Sequence, residues 1–302
     1  MEIKDIKKVL IIGAGTMGRQ IGFLSASCGY NVVVYDKSEK ALQSAVKGIE
    51  KIARSFVQWK KISQQDSDAS IKRISFTHDP NEAAHEADIV SESVPEDPAL
   101  KEKVFFQFHE LCPARTVFTS NTSSLVSSQF AAGCGRPEKL IAFHFYDVRT
   151  AIIVDVMPHP GTSKETVDLV MEFSRTLKQI PILMQREYPG YLFNNILMAI
   201  MGSALTLASR NVAPIQDIDR SWTGVFRIPM GPFAMMDGVG LDTVWHITNY
   251  WAEKLKDPQA IANAKFIKKF VDGGKLGVKS GEGFYTYPNP EYGRTGFMEG
   301  LK

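Results

Sequence analysis

Along the first half of the chain, short apolar runs recur at wide intervals: KVLIIG (8–13), NVVVYD (31–36), ADIVSESV (87–94), TVFTSN (116–121) and LIAFHF (140–145). Runs of this kind, rich in β-branched residues, predict strands, and their near-continuous apolarity predicts burial on both faces. The intervals between them are long enough for crossover helices, so the strands are predicted to lie parallel in one sheet. After IPILMQREYPG (180–190) no run of comparable strand quality follows, and helical spacing dominates over 191–210, 215–221, 240–256 and 259–272. The Pro189-Gly190 pair is the natural break. It predicts an α/β domain over 1–188 and an all-α domain over 189–302. The tail GGKLGVKSGEGFYTYPNPEY is glycine-rich and aromatic and reads as a loop packed against the rest of the protein.

Composition adds limits. With 302 residues, 44% hydrophobic and 23% charged, the chain has the length for two domains and the material for a sizeable core. A net charge of +2 with scattered basic residues gives no electrostatic reason to expect nucleic acid or a membrane surface as partner. Cys28, Cys112 and Cys134 lack metal-ligand spacing, which predicts reduced thiols in a cytoplasmic protein and no metal site. The opening MEIKDIKKVLIIGAG has no hydrophobic signal core and runs directly into the first strand. YLFNNILMAIMGSALTLA (191–208) has the length of a short membrane span, but Asn194, Asn195, Ser203 and Thr206 argue for a helix buried in protein. Its apolar surface exceeds what one helix of a small domain normally buries, which predicts a homodimer built on these helices. In MGPFAMMDGVGLD, Gly231 and Pro232 are read as fixing a turn, with Phe233, Met235 and Met236 packing in the core.

The first candidate chemistry lies in VLIIGAGTMG, which sets Gly13, Gly15 and Gly18 directly after a strand and opens a helix through Thr16 and Met17. Gly13 suits the tight turn, Gly15 the close approach of a pyrophosphate to the backbone, and Gly18 the close packing of helix on strand, with the helix N-terminus facing the phosphates. The next strand ends in Asp36, eighteen residues beyond Gly18. A carboxylate there accepts hydrogen bonds from ribose hydroxyls and repels a 2′-phosphate, so NAD is favoured over NADP as cofactor. A Rossmann-type parallel-sheet domain followed by an all-α domain is the fold class these observations predict.

Three further features converge on a redox site. TSNTSSL (119–125) follows a strand end, where open α/β sheets place their ligand crevice, and YPGYLFNNILM (188–198) opens the helical half with two amides. IAFHFYDVRTAIIVDV (141–156) puts His144 in an apolar run and Asp155 eleven residues later in another. A lone buried histidine is most often a hydrogen-bonded core residue. Beside a nicotinamide cofactor, a neutral imidazole is also the base that removes the hydroxyl proton of a secondary alcohol as hydride departs. A carboxylate fixes the tautomer of such a ring, and side-chain donors in those two polar stretches are suited to an oxygen as charge develops on it, at roughly 3 kcal/mol per well-placed donor.

The chain resembles the L-3-hydroxyacyl-CoA dehydrogenase family, through IIGAGTMG, ADIVSESVPEDPALKEKVF, SNTSSL, HF, PGYLFNN, MGPFAMMDGVGLDT and KSGEGFYTY in the family's order. The resemblance implies an NAD domain followed by a helical dimerisation domain, catalytic positions at Ser123, His144 and Asn194, and cofactor contacts at Asp36, Glu96, Lys101, Ser123 and Lys279. The implied substrate is an acyl-CoA of fatty acid metabolism, of short chain as in 3-hydroxybutyryl-CoA.

Two departures qualify it. Where the family has His-Phe-Phe-Asn-Pro and a glutamate twelve residues after the histidine, this chain has HFYDV, with Asp147 and Val148 in place of Asn-Pro, and Asp155 at eleven. Asp155 is taken as the partner of His144, with Asp147 its competitor. Where the family holds coenzyme A with a serine and a lysine, this chain has Ile52 and Trp59, with Lys60 and Lys61 as neighbours. That substitution, with VMPHP, favours an alternative substrate, a free small hydroxy acid as in the L-gulonate and carnitine dehydrogenases.

Overall fold

The apolar runs form eight strands: β1 (Lys8–Ile12), β2 (Asn31–Tyr35), β3 (Ile74–Thr77), β4 (Ile89–Glu92), β5 (Val117–Ser120), β6 (Leu140–Phe145), β7 (Ile153–Met157) and β8 (Ile180–Leu183). They lie in one sheet in the order β3-β2-β1-β4-β5-β6-β7-β8. The computed structural model describes residues 1–300, and the chain divides into two compact units, Met1–Tyr191 and the remainder from Leu192.

In the first unit, β3 through β6 are parallel, β7 turns back antiparallel to β6, and β8 pairs parallel to β7. Helices α1 (Thr16–Ser27), α2 (Glu39–Gln58), α3 (Gln64–Ile71), α4 (Pro80–Ala84), α5 (Pro98–Leu111) and α6 (Lys164–Thr176) occupy the intervals. Side chains of β1 alternate between two cores: Val9 and Ile11 join Val34, Phe143 and Phe173, while Leu10 and Ile12 join Phe105, Phe118 and Phe130. The sheet is thus covered on both faces, as continuous apolarity requires. Each such side chain, fully buried, stabilises the fold by roughly 1.5–3 kcal/mol relative to exposure. Helix starts are fixed locally. The Ser38 hydroxyl accepts from Ala41 N–H at the head of α2, and the Asp97 carboxylate accepts from Ala99 and Leu100 N–H ahead of Pro98 in α5.

Three elements depart from the sequence expectation. The short edge strand β3 was not predicted, because only Thr77 of its four residues is buried. The reversed β7 makes the sheet mixed rather than wholly parallel. Outermost β8 leaves Ile180 and Leu183 about half exposed and tolerates Pro181, as only an edge strand does.

The second unit is helical: α7 (Tyr191–Ser209, starting on the last residue of the first unit), α8 (Ile215–Phe226), α9 (Pro232–Val239), α10 (Leu241–Leu255) and α11 (Pro258–Asp272). Met201, Leu205, Phe233, Met236, Leu241, Val244 and Ile267 form its core. The aromatic tail contributes Phe284 and Tyr285, with Phe284 edge-on to Phe233 at 4.8 Å. Two buried carboxylates organise it. Asp219 accepts from Phe233 and Ala234 N–H and from Tyr285 Oη, and Asp237 accepts from Phe284 and Tyr285 N–H and from Tyr287 Oη.

Two readings are corrected here. Gly231-Pro232 does not make a free turn: Pro232, at the first helical position, starts α9, and Asp219 caps it from a distance. Nor is α7 buried in the chain. Only 22% of its most apolar window is covered, and Leu192 and Ile196 stay 47% and 62% exposed, because the other helices of the unit reach only the face bearing Met201 and Leu205.

Candidate active site

The parallel strands β1, β2, β4 and β5 end at one rim of the sheet, and the chain reverses its winding between β1 and β4, where such sheets open a crevice. The β1–α1 turn sits there. Gly13 has φ of +104°, and a methyl group on it would meet the Ser93 carbonyl oxygen at 2.6 Å. On Gly18 a methyl would lie 1.9 Å from the Gly13 carbonyl oxygen. Gly15 differs, since a methyl there would meet nothing within 4 Å. Gly15 is also the N-cap of α1 and provides no side-chain cap, so the first-turn N–H groups of Thr16, Met17 and Gly18 border open space. This is the cradle a dinucleotide pyrophosphate requires. Asp36, at the end of β2, accepts from Ala14 N–H at 2.9 Å and Ser38 N–H at 2.9 Å. It lies beside the turn, where a ribose would be read. The residues present fit NAD.

At the end of β4 a polar network reaches SNTSSL. Glu92 is fully buried; it accepts from Lys101 Nζ at 2.7 Å, Ser120 Oγ at 2.5 Å and Val94 N–H at 2.7 Å. Glu96 accepts from Ser123 N–H at 2.6 Å, Ser123 Oγ at 3.0 Å and Thr122 Oγ1 at 2.7 Å, and lies 3.4 Å from Lys101 Nζ. Lys101 is 1% exposed, so its ammonium is held inside this network rather than at the surface. Burial pushes the Glu92 carboxyl above its ordinary value against Lys101 and its hydrogen bonds. Burial acts the same way on Glu96, but Lys101, Thr122 and Ser123 together bring that carboxyl below the ordinary range. A carboxyl depressed in the folded state contributes stability above its unfolded pKa and loses it as pH falls through the folded one. Glu96→Gln is therefore expected to lower the melting temperature at about pH 7, with the difference shrinking below about pH 4. An equal loss at both ends of a pH series of thermal melts would contradict this account.

His144 and Asp155 are direct cross-strand partners in the β6–β7 pair, so both side chains stand on one face of the sheet. Nδ1 of His144 is 3.4 Å from Oδ2 of Asp155, and the residues are 5% and 2% exposed. The phenol of Tyr146 donates to the same Oδ2 at 2.6 Å. The ring of Tyr191 stacks on the imidazole, with centroids 4.5 Å apart, and Tyr146 meets it edge-on at 4.6 Å. Burial above all, then Glu96 and Asp155, raises the Tyr191 phenol, which stays neutral. Asp147, the competing acid, instead holds Arg149 through both carboxylate oxygens. Burial would raise its carboxyl, and the Arg149 guanidinium brings it below the ordinary range.

The loop after His144 is tied from two sides. Asn121 Oδ1 accepts from Phe145 N–H at 2.8 Å, and Gln20 of α1 accepts from Val148 N–H at 3.0 Å. Tyr146, Gln20 and Asn121 carry no signal of these roles in the sequence. Glu92 carries one, an acid inside an apolar strand.

In the second unit, Asn194 occupies the first turn of α7 and is half-buried. Lys279 lies on the turn Val278–Ser280 and pairs with both carboxylate oxygens of Asp242 at 2.5 Å. At the two positions where the resemblance would put coenzyme A contacts, Ile52 is 9% exposed inside the first core, whereas Trp59 is 48% exposed. Lys61 donates to the Val148 carbonyl at 3.2 Å and caps the Phe56 ring. The thiols are separate, and burial drives the Cys112 thiol up to about 11 against the pull of Arg136.

Residues 8–188 match the NAD-binding domain of 3-hydroxyacyl-CoA dehydrogenase, and residues 190–287 match the C-terminal domain of the same family. The pig mitochondrial hydroxyacyl-coenzyme A dehydrogenase is 32% identical over 93% of this chain and 91% of its own length. A probable 3-hydroxybutyryl-CoA dehydrogenase of Bacillus subtilis is 32% identical over 94% of this chain and 98% of its own. Among solved structures, a diketoreductase described as acting on dicarbonyl compounds superposes with a TM-score of 0.87, at 32% identity, covering 93% of this chain and 99% of that one. The (S)-3-hydroxybutyryl-CoA dehydrogenase of Ralstonia eutropha gives 0.82 at 29% identity, covering 94% and 100%.

Proposed function

The chain belongs to the 3-hydroxyacyl-CoA dehydrogenase family, and from that premise we propose that it interconverts a short-chain L-3-hydroxyacyl-CoA, of the 3-hydroxybutyryl-CoA kind, and the 3-ketoacyl-CoA. The observation that carries the reading is the buried imidazole–carboxylate pair of His144 and Asp155, in a unit whose sheet rim holds a dinucleotide cradle. With Nδ1 turned to Asp155, Nε2 is left as the atom that takes the hydroxyl proton in oxidation and returns it in reduction. Asp155 holds that tautomer and steadies the cation formed. Bound NAD supplies the hydride acceptor.

Gly13, Gly15, Thr16, Met17 and Gly18 would hold the pyrophosphate, and Asp36 the adenine ribose. Glu96, Lys101 and Ser123 would serve the nicotinamide end, with Lys101 acting through Glu96 because it is itself buried. Ser123 and Asn194 are assigned to the substrate oxygen, and Lys279 to the cofactor. We take 1–188 as the cofactor domain and 189–302 as the domain for substrate and dimerisation. Separate, unreactive thiols suit a reducing compartment, and the cytoplasm is our assignment. The exposed apolar residues Ile196, Val225, Phe226 and Leu255 support a homodimer. Sedimentation of a pure monomer at micromolar concentration would end that part of the reading.

A second reading keeps the chemistry and replaces the thioester by a free hydroxy acid. Buried Ile52 has no polar group to offer coenzyme A, and the diketoreductase resembles this chain as well as the acyl-CoA enzymes do. Initial rates separate the two readings. The thioester reading expects kcat/KM for acetoacetyl-CoA with NADH to exceed that for free 3-keto acids by about tenfold or more, the worth of 1.4 kcal/mol of added binding. Equal values, or a preference for the free acid, would install the second reading instead.

A further inference from the structure

The acid opposite His144 serves two donors. The phenol of Tyr146 reaches Asp155 Oδ2 at 2.6 Å, the short distance of a charge-assisted O–H···O bond, while Nδ1 of His144 reaches the same oxygen at 3.4 Å. Tyr146 follows His144 by two residues and stands against the imidazole edge, so phenol, ring and carboxylate form one cluster. The family pattern His-Phe-Phe has no hydroxyl at this place and a carboxylate one methylene longer. Here both differ together: the acid is shorter and a phenol meets it.

We propose that Tyr146 is a positioning residue that fixes the Asp155 carboxylate and shares its charge, thereby limiting how strongly Asp155 holds the protonated form of His144. This rests on the assignment of His144 as the base. The physical argument concerns one oxygen with two suitors. A carboxylate oxygen that already accepts a short hydrogen bond carries less charge for a second donor and is less free to turn toward it. Removing the phenol leaves Asp155 with the imidazole as its near partner and lets it swing closer. Other groups of the first unit bear on this cluster. The Tyr191 phenol stacked on His144 stays neutral, and Glu92 and Glu96 are held by Lys101, Ser120, Thr122 and Ser123. None of those interactions depends on Tyr146.

The test is the Tyr146→Phe substitution, which keeps the ring and deletes the hydroxyl. In alcohol oxidation at saturating NAD, the acid limb of the kcat/KM profile against pH is expected to move upward by about half a unit to one unit, roughly a three- to tenfold gain in proton affinity. The nitrogen-15 titration of the His144 ring, read in histidine-labelled protein without turnover, should move in the same direction. A limb that superimposes on the parent's, or moves downward, overturns the inference, even where the melting temperature falls. His144→Ala runs alongside. If that variant stays active, the base assignment is lost and this inference with it; if it is inactive and the acid limb of Tyr146→Phe has not moved, only the inference is lost.

Discussion

His144→Ala is expected to lower kcat by two to four orders of magnitude while leaving the Kd for NADH within about twofold of the parent, the loss typical of a deleted general base. That loss corresponds to about 3 to 5 kcal/mol of barrier. The two readouts separate because His144 lies on β6, whereas the glycine turn that would hold the pyrophosphate lies between β1 and α1. Alanine also removes the ring that stacks on Tyr191 at 4.5 Å, so His144→Gln, which keeps more of the volume, is the companion variant. Both should be slow. NADH fluorescence titration and steady-state rates decide the matter, and parental turnover in either variant would remove His144 from its role.

Gly18→Ala is the second large effect, and it acts on binding. The added methyl would stand 1.9 Å from the Gly13 carbonyl oxygen and 3.1 Å from both the Gly13 carbonyl carbon and a methyl of Ile11. Two of these are backbone atoms, so no side chain can rotate away, and the head of α1 must move off β1. We expect NADH affinity to fall by at least about 100-fold, roughly 2.7 kcal/mol. A loss of stability of about 1–3 kcal/mol should accompany it, as overpacking of a tight contact commonly brings. Gly15→Ala supplies the contrast. Its methyl meets no protein atom within 4 Å, so the melting temperature should hold while NADH affinity drops, because the methyl occupies the space a pyrophosphate would take. Gly15→Ala binding NADH like the parent would show that the open side of the turn is not the phosphate cradle.

Much of this was legible in the residues because it depends on local pattern. The buried strands β1, β2, β4, β5 and β6 announce themselves by continuous apolarity, and the glycine turn by its place between strand and helix. Asp155 could be paired with His144 on the cost of an unpartnered acid in a strand. The same criterion applied to Glu92 would have uncovered the buried pair with Lys101. Other features depend on contacts that no local pattern encodes. β3 and β8 are edge strands with half-solvated faces, so their runs are short and broken. Tyr146 reads as one more aromatic until the hairpin register brings its hydroxyl to Asp155. The surplus apolar surface of α7 was legible in its residues, but which side stays uncovered depends on where the neighbouring helices pack, which hydropathy does not encode.

The direct opposition of His144 and Asp155 in the β6–β7 ladder has an evolutionary corollary. Their partnership is set by which rungs face each other, while the seven residues between β6 and β7 carry the chain around the bend and bring Tyr146 to the acid. Deletions and insertions beyond Tyr146 can therefore accumulate in that bend without moving the acid off its rung. In distant homologues the counterpart of Asp155 is better sought by its rung than by counting residues from the histidine.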